Sequence, residues 1–170
     1  MTSYLEWQEG YRVGVAQFDA EHKALLERIN GIVTAEVDTR EMHWSSAPLG
    51  VLIDDILHQF DHEEIVMDRT YYPQLGDHRR SHDRLLRNLM RQIGKCRKGE
   101  ITILEFGTYL YDWLLEHILQ EDMKLGAYLR QRGIEDSSHQ ARLAQPGFAD
   151  DYGKVPNSFP EPGEKSFKGR

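Results

Sequence analysis

The 170-residue sequence predicts an all-α protein: an antiparallel up-down four-helix bundle with an N-terminal extended arm and a disordered C-terminal tail. Apolar residues recur at spacings of three and four along four successive segments, which indicates helices with one buried face. Short breaks separate these segments, so neighbouring helices should run antiparallel. The C-terminal region is rich in proline, glycine and charge without any period, which is typical of disordered chain. We expect the arm at 1–17, the bundle at 18–133 and the tail at 134–170.

The arm and the first two helices follow from local sequence. The arm contains glycine and aromatic residues but no helical period, so we expect it to pack in extended form. From Phe18 to Val33 apolar residues recur with helical spacing. The loop at 43–50 contains serine, proline and glycine, and the second helix should run from this loop to about Tyr72, where a proline follows.

The third and fourth helices complete the predicted bundle. The third is expected from about His78 to Cys96, where a short glycine-containing turn follows. The fourth is expected from Ile101 to about Arg132, because the next residue is a glycine of the kind that ends helices. Four helices of similar length with short connections favour a bundle, and bundles build metal sites from side chains that face one another in the core.

Composition excludes several classes of function. The net charge of −7 and the pI of about 5.6 argue against nucleic-acid binding and against docking on an anionic membrane. Because no apolar run approaches the roughly 20 residues needed to span a bilayer, and the N-terminus does not resemble a secretory signal, we expect a cytoplasmic protein. No nucleophile arrangement or glycine-rich phosphate loop is visible. Small-molecule partners are therefore expected, and nothing indicates a particular protein partner.

Six ionisable residues fall on the inner stripes of the predicted helices. Burying such groups costs free energy unless they are paired or bound to a metal. Two of the histidines, His78 and His82, are four residues apart and therefore point the same way from one helix. Imidazole and carboxylate ligands without a thiolate suit iron, manganese or zinc, and two carboxylates that can bridge make a pair of ions plausible. The set comprises His22, Glu63, His78, His82, His117 and Asp122.

Four segments of the chain together resemble bacterial hemerythrins: "WQEGYRVGVAQFDAEHKALLERIN", "EEIVM", "YYPQLGDHRRSH" and "WLLEHILQED". They occur in the same order and spacing as in that family, over about residues 7 to 130. The resemblance implies a four-helix bundle with two non-haem iron ions (Fe2+/Fe3+), oxo- or hydroxo-bridged, that binds dioxygen at one iron. It further implies one iron held by His78, His82 and His117, a second iron held by His22, and bridges from Glu63 and Asp122.

One position departs from the hemerythrin pattern. The family has a histidine on the second helix, followed by phenylalanine, with the bridging glutamate four residues after the histidine. Phe60 and Glu63 fix this frame, which places Gln59 where the histidine should be. At roughly 100° per residue, Gln59 lies at the border of the inward sector, whereas His58 and His62 lie outside it.

Three interpretations of this position remain open. In the first, which we favour, Gln59 replaces the histidine and gives the iron near His22 a weak amide ligand or an open position. In the second, a π-bulge shifts the helix by one residue and turns His58 inward. In the third, His58 and His62 act in another frame or lie on the solvated face of the helix.

The leading functional hypothesis is a diiron protein, not an enzyme, that binds dioxygen or a similar small ligand for carriage, storage or sensing. A neutral carboxamide is a poorer iron ligand than imidazole, so the second iron should be more open to water and other ligands. The alternatives are therefore a diiron peroxidase or nitric-oxide-handling enzyme, and a redox- or oxygen-responsive interaction module.

Overall fold

Four helical columns form the antiparallel bundle predicted from the sequence. The computed structural model describes residues 5–39 and 46–134, and the predicted tail beyond 134 lies outside this range. Within the described residues every regular element is helical, which confirms the predicted fold class. The elements are α1 (Ala16–Thr39), α2 (Ser46–Arg69), α3 (Leu75–Arg97), α4 (Ile103–His117), a π-helical turn (Ile118–Asp122) and α5 (Met123–Arg130).

The fourth column consists of α4, the π-turn and α5, which continue one another. α1 packs against α2 and α4, and α3 packs against the same two helices, so the columns surround one shared core. Phe18, Leu52, Leu89 and Leu110 contribute one fully buried apolar side chain from each column. None of the helices described for this chain is both long and apolar enough to cross a membrane.

The turn between α2 and α3 is held by hydrogen bonds rather than by its proline alone. Tyr71 adopts φ 55°, a left-handed conformation that is uncommon for residues other than glycine. The amide of Tyr72 donates to the carbonyl of Met67 at 2.8 Å. The hydroxyl of Tyr128 donates to the carbonyls of Thr70 and Tyr71 at 2.7 and 2.8 Å. These bonds end α2 slightly earlier than predicted and let α3 begin before its first histidine.

The described part of the arm is anchored at the end of the bundle where α1 begins. It contains one short 3-10 turn, Glu9–Tyr11, and is otherwise irregular. Val13 and Val15 are fully buried. The carboxylate of Asp19 accepts a hydrogen bond from the amide of Val13 at 2.7 Å, and the guanidinium of Arg130 donates to the Val13 carbonyl. The arm therefore ties α1 to α5.

The contact between the arm and α5 requires a glycine. A Cβ added to Gly126 would overlap the carbonyl oxygen of Val13, which is a backbone atom with little freedom to move. We expect Gly126→Ala to lower the free energy of unfolding by about 1–3 kcal/mol, the usual cost of overpacking. In the control Gly31→Ala, the added Cβ on α1 meets nothing, so a gain of roughly 0.5–1 kcal/mol is expected. Urea denaturation measures both, and a neutral Gly126→Ala would contradict the close packing.

Candidate metal centre

All six ionisable residues predicted to face inward meet in the centre of the bundle. Each is between 0 and 4% exposed. These residues form two overlapping groups, and within each group one nitrogen or oxygen atom from each residue lies within 4.8 Å of those from the others. One group contains Glu63, His78, His82 and His117, and the other contains His22, Glu63 and Asp122.

The carboxylate of Glu63, on α2, lies between two sets of histidines. Its Oε2 atom is 3.4 Å from Nε2 of His78 and 3.3 Å from Nε2 of His82. Its Oε1 atom is 3.6 Å from Nε2 of His22, on α1. One carboxylate thus presents a different oxygen to each side.

The carboxylate of Asp122, in the π-turn, repeats this arrangement. Its Oδ1 atom is 3.3 Å from Nε2 of His78 and 3.1 Å from Nε2 of His117. Its Oδ2 atom is 3.3 Å from Nε2 of His22. The two carboxylates therefore divide the cluster into a three-histidine side, made by His78, His82 and His117, and a His22 side.

The hydrogen bonding of this cluster fits bound metal. Both carboxylates are 0% exposed, yet none of their four oxygens accepts a hydrogen bond within the described residues. Burying two charges without such bonds is costly, and a bound cation would offset that cost. Nitrogen and oxygen donors without thiolate suit iron, manganese or zinc. The donors present are thus suited to holding metal.

The charges of the cluster favour protonated imidazoles when metal is not bound. Burial opposes protonation of His22 and His78, but Asp122 and Glu63 raise the pKa of each to about 10. Burial and the charge of Asp122 act to raise the pKa of Glu63, but the adjacent histidines bring it below its usual value. A metal ion must displace the imidazole protons, so binding at this cluster should release protons and strengthen as the pH rises.

The π-turn brings His117 and Asp122 to the same side of the fourth column. In a regular α-helix, residues five apart point in directions roughly 140° apart. A π-turn has i→i+5 hydrogen bonding, which places the two residues one above the other. This π-turn is not predicted from the sequence, which suggested a bulge only as one alternative in the second helix. The available signal was the spacing of five between two polar residues that both belong inside.

Gln59 lies inside the bundle beside His22. It is 2% exposed, and its side-chain Nε2 is 3.1 Å from Nε2 of His22. α2 is α-helical throughout and His58 is exposed, so the bulge that would turn His58 inward is absent from this helix. His62 belongs to neither ligand group, and its Nδ1 is hydrogen bonded to the carboxylate of Glu21 at 2.9 Å. Among the described residues neither His58 nor His62 joins the cluster, and His58 lies on the exposed face of α2, as the third interpretation allowed.

His82 has contacts outside the cluster that the sequence did not reveal. Its Nδ1 atom is 2.8 Å from Oε1 of Glu64, whose Oε2 accepts a hydrogen bond from Nε of Arg79 at 2.9 Å. Burial opposes ionisation of Glu64, but His82 and Arg79 bring its pKa below the usual value. The ring of Phe60 stacks on His82 with centroids 3.7 Å apart. These residues lie on two helices, so no periodicity within one helix could have predicted the contacts.

Comparisons with known proteins agree with this geometry. Residues 13–129 match the family model described as Hemerythrin HHE cation binding domain. A bacteriohemerythrin of Stenotrophomonas maltophilia (strain R551-3) is 26% identical over 142 residues, which cover 79% of this chain and 90% of the relative. Myohemerythrin-1 of Phascolopsis gouldii is 30% identical over 118 residues, which cover 69% of this chain and 88% of the relative.

A similar fold is found among solved structures. A crystal structure of wild-type hemerythrin superposes with a TM-score of 0.64 at 24% sequence identity. The superposition covers 74% of this chain and 98% of that one. Sequence and fold comparisons therefore point to the same group of proteins.

Proposed function

The chain belongs to the hemerythrin HHE cation binding domain family, and from this premise we propose that it holds two non-haem iron ions and binds dioxygen or a similar small ligand. The observation that carries the proposal is the division of the two buried carboxylates. Glu63 and Asp122 each direct one oxygen towards the three-histidine side and the other towards His22. A carboxylate that presents one oxygen to each side is suited to bridging two neighbouring cations.

In this proposal the three-histidine side holds one iron, and His22 holds the other beside Gln59. When bound, the iron pair would supply the electrons for the reaction with dioxygen. The protein supplies an enclosed site: Phe60 stacks on His82 and meets the ring of His117 edge-on at 5.6 Å. Such an apolar wall limits the access of water, which tunes a metal site and protects it from side reactions.

The proposal is tested by loading the metal-free protein with iron(II) under anaerobic conditions and then admitting oxygen. We expect a new visible absorption band that disappears when oxygen is removed and returns when it is admitted again. Failure of the chain to retain iron would contradict the whole proposal. Permanent oxidation after one exposure would contradict oxygen carriage.

Iron binding should also stabilise the fold, because the cluster is assembled only in the folded chain. A ligand present at 100 times its dissociation constant adds about 2.7 kcal/mol to the free energy of unfolding. We therefore expect a chelator to lower the midpoint of thermal unfolding, measured by circular dichroism on loaded protein. Apo and loaded protein with the same midpoint would contradict metal binding at this buried cluster.

A second function is favoured by Gln59. Its carboxamide is a poorer donor than an imidazole, so an iron beside His22 would be more open to exogenous ligands such as hydrogen peroxide or nitric oxide. Repeated turnover of either molecule by iron-loaded protein would support an enzyme. Reaction of only one equivalent per loaded chain would exclude it.

A further inference from the structure

We propose that Glu64 is a positioning residue that orients His82 for the metal on the three-histidine side, an inference that rests on the proposed iron-binding function. Glu64 follows Glu63 on α2, so the two carboxylates point in different directions from one helix. Glu63 is 0% exposed inside the cluster, whereas the side chain of Glu64 is 24% exposed at its edge. Glu64 therefore acts on the ring of His82 from outside the donor set.

The contact between Glu64 and His82 selects the imidazole tautomer that carries its proton on Nδ1. The Oε1 atom of Glu64 lies 2.8 Å from Nδ1 of His82, and an ionised carboxylate only accepts hydrogen bonds. The Nδ1 atom must then carry a proton, which leaves Nε2 as the donor to metal. That Nε2 atom faces Oε2 of Glu63 at 3.3 Å and Nε2 of His117 at 3.0 Å.

His82 is the most constrained histidine of the cluster. The Nδ1 atoms of His22, His78 and His117 are buried without a hydrogen-bond partner among the described residues. His82 instead has the Glu64 carboxylate at its Nδ1 edge and the ring of Phe60 against its face, with an angle of 5° between the rings. The orientation of its ring is thereby set before any metal binds.

Arg79 supports the same arrangement from the surface. Its Nε atom donates to Oε2 of Glu64 at 2.9 Å, which leaves Oε1 for His82. The side chain of Arg79 is 41% exposed, so this ion pair alone contributes little stability. Its effect is to hold the carboxylate where it accepts from the imidazole. Outer partners of metal-bound histidines typically change metal affinity by about 10–100-fold when removed.

The test compares cobalt(II) binding to the full chain and to three variants by anaerobic optical titration. Glu64→Ala removes the acceptor, and Glu64→Gln keeps an acceptor oxygen and the side-chain volume. Glu21→Ala is the matched control, because Glu21 also accepts from a histidine Nδ1 at 2.9 Å and also adjoins a cluster residue, yet its partner His62 is outside the cluster.

We expect Glu64→Ala to lower the affinity for the more tightly bound cobalt ion by about 10–100-fold. Glu64→Gln should recover most of the lost affinity, and Glu21→Ala should bind cobalt with the affinity of wild type. Proton NMR of the metal-free chain provides a readout independent of metal. The His82 Nδ1 proton should be protected from solvent exchange in wild type and lose that protection in Glu64→Ala. Unchanged affinity and unchanged protection in Glu64→Ala would overturn the positioning role. No cobalt or iron binding by wild type would overturn the proposed function itself.

Discussion

Replacing Glu63 by alanine is expected to abolish stable binding of both iron ions, because its two oxygens serve both sides of the cluster. Removal of an outer hydrogen-bonding partner already weakens metal binding by about 10–100-fold, so losing a bridging ligand should cost more than about 100-fold. The remaining Asp122 carboxylate would have to balance two cations alone. Iron retained after gel filtration, measured by metal analysis, reports the loss.

Two further variants separate loss of charge from loss of structure. Glu63→Gln keeps the volume of the side chain but removes the negative charge, and it should also fail to retain two irons. His58→Ala removes a histidine from the same helix, but this residue is exposed and should leave iron content unchanged. Retention of two irons by Glu63→Gln, or loss of iron in His58→Ala, would contradict the assignment of ligands on α2.

Replacing Gln59 by histidine is expected to tighten binding of the iron on the His22 side by about tenfold or more. The Nε2 atoms of glutamine and histidine are the same number of bonds from Cα, so an imidazole at this position should reach the space that the amide now occupies. That space adjoins His22, since the amide nitrogen of Gln59 is 3.1 Å from its Nε2 atom. Anaerobic iron(II) titration followed by isothermal calorimetry should resolve a tighter second binding event.

Gln59→Ala is the matched control for this substitution. It removes the amide without adding a metal ligand. The affinity of the three-histidine side for iron should therefore be unchanged, and the affinity of the His22 side for iron should not increase. If Gln59→His gives the same affinities and the same oxygen reactivity as wild type, Gln59 does not limit the second iron. The open position and the second function proposed from it would then both be wrong.

The bundle and the interior position of five of the six ionisable residues could be predicted because each depends on periodicity within one helix. Asp122 is the exception, because it reaches the same side as His117 only through the π-turn. His78 and His82 illustrate this, since their spacing of four places both on one face of α3. Helical phase also separated the inward Glu63 from the exposed His58. The resemblance to hemerythrins added the expected division of these residues between two irons. Periodicity within one helix could not predict that division, because the residues of each side come from several helices.

Other features could not be predicted because they depend on how helices meet. The pairing of Glu64 with His82 joins residues of α2 and α3, and its register is set by the turn in which Tyr71 is left-handed. The π-turn that ends at Asp122 arises within one column, but a regular helical phase of 100° per residue does not predict it. The close approach of the arm to Gly126 has no local signature beyond the glycine itself.

Native mass spectrometry of the full chain, loaded with iron(II) and kept anaerobic, tests most directly whether the buried cluster holds a pair of iron ions bridged by Glu63 and Asp122. The method counts the ions on each molecule. We expect wild type to carry two iron ions and Glu63→Ala to carry none. A wild-type population that holds a single iron or none at saturating iron(II) would contradict the bridged pair.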